Sequence, residues 1–129
     1  MFPLISQNIH LIPEEIGVYV IYCLGQDSKR IIISRFAKPD YQGILYIGRT
    51  TKQNLRKRVY NFLLSSDIDK KTTNHSGALK YRRNTVIRDK LGFHILYVQY
   101  EVCPDPIQRE KEMLLKYSLE FGELPPLNK

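Results

Sequence analysis

The chain has 129 residues and a mass of 15.2 kDa, of which 43% are apolar and 26% charged, the make-up of one globular domain spanning 1–129. Seven Gly and seven Pro exclude a collagen-like or low-complexity chain, two Cys (Cys23 and Cys103) exclude a disulfide framework or Cys-rich zinc site, and no apolar run is long enough for a membrane span or signal-peptide core. Twenty Lys and Arg against thirteen Asp and Glu give +7, a balance that suits a polyanionic partner in a reduced, cytoplasmic setting.

Residues 1–15, with Pro3, Pro13 and two consecutive Glu, read as an irregular lead-in. GVYVIYCL (17–24) is β-branched and aromatic and ends at Gly25-Gln26-Asp27, which predicts a strand. RIIIS (30–34) predicts a second strand, a hairpin partner of the first. Lys38 to Gly43 predicts a turn, and ILYIG (44–48) a third strand. Asn54 caps a helix to about Ser65, with Leu55, Val59, Phe62 and Leu63 at helical spacing. The polar stretch 65–77 predicts a surface loop, 77–91 a second helix and FHILYVQY (93–100) a further strand. Asp105-Pro106 opens a last helix that closes near Phe121-Gly122. The order β-β-β-α-α-β-α implies a small mixed α/β (α+β) domain with a mainly antiparallel sheet.

The charge is concentrated. Residues 49–90 hold twelve basic and three acidic residues, net +9, while the other 87 residues are net −2. A basic middle third on a near-neutral frame points to nucleic acid; the plainer alternative is a solvated cationic surface.

Two charged residues interrupt apolar stripes. Arg58 follows Leu55 by three positions and precedes Phe62 by four, whereas Arg56 and Lys57 face elsewhere. Glu110 follows Ile107 by three and precedes Leu114 by four, on a face continued by Tyr117 and Phe121; Glu112 lies on another face. An Arg58–Glu110 ion pair is one explanation, and a hard divalent cation on Glu110 another. Tyr19 shares a strand face with Ile21, and Tyr46 with Ile44 and Gly48. Of three His, His94 alternates within a strand, His10 belongs to the lead-in, and His75 in the polar loop is the one suited to chemistry.

These residues fall in a familiar order. Gly17-Val18-Tyr19, Tyr46-Ile47-Gly48-Arg49-Thr50, Leu55-Arg56-Lys57-Arg58-Val59, Glu110 and Pro125-Pro126-Leu127-Asn128 together resemble the GIY-YIG endonuclease superfamily over residues 17–128. The resemblance implies a three-stranded antiparallel sheet flanked by helices, and cleavage of phosphodiester bonds with one divalent cation, Mg²⁺ or Mn²⁺. It implies that Tyr19 and Tyr46 are the two motif tyrosines, Gly48 the closely approached glycine, Arg58 the family arginine, Glu110 the metal ligand and Asn128 the late asparagine. Arg49 falls where excision-repair members carry a basic residue.

Two departures stand out. Residues 25–42 lengthen the segment between the motif strands, and Phe62 occupies a position where many members carry His or Tyr. His75 could supply that group from the loop. The expected activity is hydrolysis of DNA, with water oriented by Tyr19, Tyr46 or His75 and charge on the phosphate met by Arg58. Arg49, Lys52, Arg56, Lys57, Lys80, Arg82 and Arg83 would hold flanking phosphates. The alternative is a nucleic-acid-binding module on the same scaffold that does not cleave.

Overall fold

The computed structural model describes residues 1–66, 75–83, 89 and 94–128. In chain order these give β1 (Phe2–Pro3), a 3-10 helix (Ser6–Leu11), β2 (Gly17–Leu24), β3 (Ile44–Arg49), α1 (Leu55–Ser66), α2 (Ser76–Arg83), β4 (Ile95–Val102) and α3 (Pro106–Phe121). The strands form one antiparallel sheet in the order β1-β4-β2-β3, so the fold is α+β with four strands. The fourth strand comes from the lead-in, where Phe2 and Pro3 pair with Val98 and Tyr97, and not from 30–34.

The reason lies in β2. All eight of its residues pair with β4 on one side, and β3 occupies the other side, so no edge is left for a hairpin partner. Residues 30–34 instead form isolated bridges, Leu24 to Arg30 and Ile33 to Asp40, and Ile32 points outward at 58% exposure. Every residue of β2 is buried, because both sheet faces are covered. That explains its unbroken apolar run.

One face packs Tyr19, Ile21, Leu45 and Tyr46 against α1 (Leu55, Val59, Phe62), Ala78 of α2 and Leu127. The other packs Val20, Tyr22, Ile44 and Ile47 against Tyr117 and Phe121 of α3. Ile44 is therefore opposite Tyr46 rather than beside it, as alternation alone predicted. A bulge is responsible: Ile21 pairs with Tyr46 but Tyr22 with Ile44, leaving Leu45 as the extra residue. Tyr46 shares the face of Tyr19 through the regular register before the bulge, and the bulge moves Ile44 to the opposite face. Of the predicted apolar stripe on α3, Ile107 lies outside the core at 50% exposure, whereas Tyr117 and Phe121 are buried.

Asn54 caps α1 through Oδ1, which accepts the Lys57 N–H at 2.9 Å, and Asp105 does the same for Gln108 of α3 at 3.1 Å. Gly122 closes α3 at φ 79°, a left-handed conformation suited to glycine. The predicted loop 65–77 is shorter than expected at both ends, since α1 reaches Ser66 and His75 is fixed; residues 67–74 lie outside the described residues. So does most of the second predicted helix beyond Arg83. Among the described residues, both cysteines are free thiols and no helix is long and apolar enough to cross a membrane.

Candidate active site

The site forms where β2 begins and β3 ends. Thr50 ties the two strands together, its hydroxyl accepting the Gly17 N–H at 3.1 Å while its own N–H reaches Gly17 O at 3.0 Å. Across the ladder Tyr19 pairs with Gly48. A Cβ at Gly48 would sit 2.5 Å from Tyr19 Cζ and 2.6 Å from Tyr46 Cε2, so the two rings are stacked into the space that glycine vacates. Gly77 does the same from above, where a Cβ would fall 2.6 Å from Tyr46 Cε1.

Tyr19, Tyr46, Phe62 and His75 form one aromatic cluster. The His75 ring meets Phe62 at 4.9 Å, Tyr46 at 5.3 Å and Tyr19 at 6.2 Å between centroids, each nearly edge-on. His75 is fully buried and its Nε2 lies 2.5 Å from the Tyr19 hydroxyl. It is thus a fixed part of the packing and not a group carried on a surface loop, as the polar sequence around it suggested. It rests on Phe62, the residue that stands where the resemblance expected a polar one.

Arg58 is the charge common to the cluster. Its guanidinium acts electrostatically on Tyr19, Tyr46, His75 and Glu110. Glu110 is reached from α3, half-buried at 20% side-chain exposure, and its Oε1 accepts Arg49 Nε at 3.3 Å. Arg49, rather than Arg58, is therefore the ion-pair partner of Glu110. Glu112 is exposed and accepts Gln108 Nε2 at 3.4 Å, outside the cluster.

Burial sets the protonation states. It raises Tyr19 well above the ordinary phenol value, with Tyr46 adding to the rise and Arg58 opposing it. Burial likewise raises Tyr46, against Arg58. The neighbouring cations pull both phenols down, but desolvation outweighs them. Burial, then Arg58, lowers His75 to about 3, so its imidazole is neutral. Burial also raises Glu110, with Arg49 pulling it back.

Asn128 serves the backbone. Its Oδ1 accepts the Ile47 N–H at 2.8 Å and its Nδ2 donates to Ile47 O at 2.7 Å, fixing the strand between Tyr46 and Gly48. Leu127 N–H adds a bond to Leu45 O at 2.9 Å. Arg56 also has a structural use: it donates to Ile12 O (2.8 Å), His10 O (3.3 Å) and Glu14 Oε1 (2.6 Å), clamping the lead-in to α1. These bonds hold the Arg56 side chain against the lead-in, with about a third of it still exposed. Lys52, Lys57 and Arg83 are exposed, while Lys80 and Arg82 are half-buried. No acidic residue occurs in the described stretches 49–66 and 75–83.

Sequence reasoning missed Gly77, whose signal was a glycine next to the one chemically interesting His. It also missed the tie through Thr50, which had no signal beyond its place after the strand. A groove of about 330 Å³ lies on the other sheet face, lined by Val20, Ile44, Ile47, Met113 and Tyr117, away from the cluster. Among the described residues no three His, Cys, Asp or Glu side chains gather as a metal-binding group. Glu110 alone could hold a hard cation, of the kind that takes one carboxylate and fills its shell with water and substrate phosphate. Comparison of the chain with protein-family models, curated proteins and solved structures gave no match.

Proposed function

We propose that this protein is a divalent-metal-dependent endonuclease that hydrolyses phosphodiester bonds of DNA. The observation that carries the reading is the convergence of Tyr19, Tyr46 and His75 with the Arg58 charge and the Glu110 carboxylate, beside the strongly basic stretch 49–90. Five groups separated by up to 91 positions meet at one end of a sheet, and two of them are charges set among apolar side chains. Such placement is costly unless the charge is paired, as Glu110 is by Arg49, or a ligand uses it.

Each side chain has a task in this reading. The tyrosine hydroxyls orient the attacking water, and Arg58 meets charge that builds on the phosphate. Glu110 would hold Mg²⁺ or Mn²⁺, which supplies Lewis-acid polarisation of the phosphate when bound. Arg49 neutralises Glu110 and becomes available to phosphate once the carboxylate is engaged otherwise. Lys52, Lys57, Lys80, Arg82 and Arg83 steer the backbone of the duplex without reading bases.

The second reading is a binding module that does not cleave, favoured by Phe62 in place of a proton-transferring side chain. Supercoiled plasmid incubated with the protein and Mg²⁺ or Mn²⁺, and in parallel with EDTA, decides between them. Nicked and linear product in the metal arms alone supports the nuclease. Retarded but intact plasmid in every arm overturns it.

A further inference from the structure

The His75 ring is engaged at both nitrogens. Its carbonyl accepts the Leu79 N–H at 2.9 Å and its Nδ1 accepts the Ala78 N–H at 3.3 Å, so His75 is the N-cap of α2. A backbone amide can only donate. Nδ1 therefore carries a lone pair, and a neutral imidazole with a bare Nδ1 bears its proton on Nε2. Nε2 is the atom 2.5 Å from the Tyr19 hydroxyl, so Tyr19 is the acceptor in that bond. A phenol has one proton to give, and with His75 as donor that proton points away from the imidazole. Tyr46 is the neighbouring ring, 6.1 Å away between centroids. Tyr19 and His75 are both fully buried, whereas Tyr46 keeps 9% of its surface.

We propose that His75 is a positioning residue, locked by α2 as the Nε2–H tautomer, which makes Tyr19 an acceptor, turns the Tyr19 proton toward Tyr46 and leaves Tyr46 as the hydroxyl that meets the attacking water. This rests on the nuclease reading for its last step and on hydrogen-bond geometry for the rest. It removes His75 as a general base, since neither nitrogen is open to water. It also exchanges the roles expected for the tyrosines: Tyr19 is the buried link and Tyr46 the terminal group. The directed series begins at the amide end of α2, where the helix dipole favours electron-rich acceptors.

Nitrogen-15 labelling of histidine in the full chain, with long-range proton–nitrogen correlation spectra, reads the tautomer directly. The expected result is an unprotonated Nδ1 and a protonated Nε2 at His75, unchanged between about pH 5.5 and 8.5. The opposite tautomer, or titration of His75 within that range, overturns the proposal. Single-turnover plasmid cleavage then tests the chain of roles. Tyr46→Phe should lose about 100-fold or more, and Tyr19→Phe and His75→Phe about tenfold each. His75→Gln, whose amide still donates, should recover much of the loss seen in His75→Phe. Equal losses in His75→Gln and His75→Phe, or a larger loss in Tyr19→Phe than in Tyr46→Phe, overturn it. Thermal unfolding of every variant separates a folding defect from lost chemistry. A wild-type protein inactive on plasmid defeats the nuclease reading alone, because the tautomer measurement needs no activity.

Discussion

Gly48 faces Tyr19 across the β2–β3 ladder so closely that a single added methyl would lie 2.6 Å from the Tyr19 hydroxyl oxygen. The atoms it would meet belong to two buried rings held by His75, Phe62 and Gly77, so neither ring has space to withdraw. Gly48→Ala should therefore cost about 1–3 kcal/mol of stability from overpacking. Because the methyl displaces the hydroxyls themselves, cleavage should fall further than the stability loss accounts for. Urea denaturation and single-turnover cleavage on the same preparation check both; an alanine variant as stable and active as wild type would mean that the rings are not packed as described.

Glu110→Gln keeps the shape of the side chain and removes its charge. Metal-dependent cleavage should drop by about 100-fold or more, the scale of losing an electrostatic group at the reacting phosphate. Binding of duplex DNA should be retained or tighten slightly, because a negative charge leaves the proposed phosphate site and Arg49 loses its ion-pair partner. Glu112→Gln, exposed on another face of α3, should behave as wild type. Gel-shift titration and plasmid cleavage read the two effects separately. If the variants exchanged these behaviours, the functional carboxylate would be Glu112.

The basic residues divide into two groups with separable phenotypes. Lys52 and Lys57 are exposed, so Lys52→Glu with Lys57→Glu should weaken DNA binding and flatten its salt dependence by about 0.9 in the log–log slope per lost phosphate contact. Arg56→Ala should leave that slope almost unchanged. It should instead lower the unfolding temperature, because the carbonyls of Ile12 and His10 lose their donor. A salt titration of affinity alongside thermal melts distinguishes the two groups, and a steep loss of salt dependence in Arg56→Ala would return that residue to the DNA interface.

Acid should destabilise the fold through His75. The imidazole is held to about 3 in the fold, whereas in the unfolded chain it titrates near its ordinary value of about 6.5. Between these values the unfolded chain binds the extra proton. The stability that the neutral ring contributes is thus complete above about pH 6.5 and falls below it, by up to about 1.4 kcal/mol per pH unit. Denaturation midpoints from pH 7.5 down to 4.5 should decline for the wild type and decline less for His75→Phe. Parallel curves for both proteins would show that His75 is not held neutral.

Much of the site was legible because its residues broke a pattern. Arg58 and Glu110 stood in apolar stripes, and Tyr19, Tyr46 and Gly48 sat in strands whose ends are marked by glycine. What periodicity could not show was the bulge at Leu45, since one extra residue reverses the faces without altering composition. Burial was equally hidden at His75: its neighbours in sequence are polar, and only the capped start of α2 brings it under Phe62 and Tyr46. The predicted strand at 30–34 failed for a related reason, as its residues favour extended chain but both sides of β2 were taken by longer partners. Arg56 shows the limit for charge, because a cation in a basic run can serve the protein's own carbonyls.

The paired bonds from Asn128 to Ile47 have a meaning for assembly. β3 is one edge strand of the sheet, and its free amides and carbonyls would otherwise template a strand from another molecule. With Leu127 on Leu45 and Asn128 on both polar groups of Ile47, an incoming strand must first evict this segment. Asn128→Ala would open that row of hydrogen-bonding groups next to Tyr46 and Gly48. One carboxamide thus discourages edge-to-edge self-association while keeping the tyrosine strand in register.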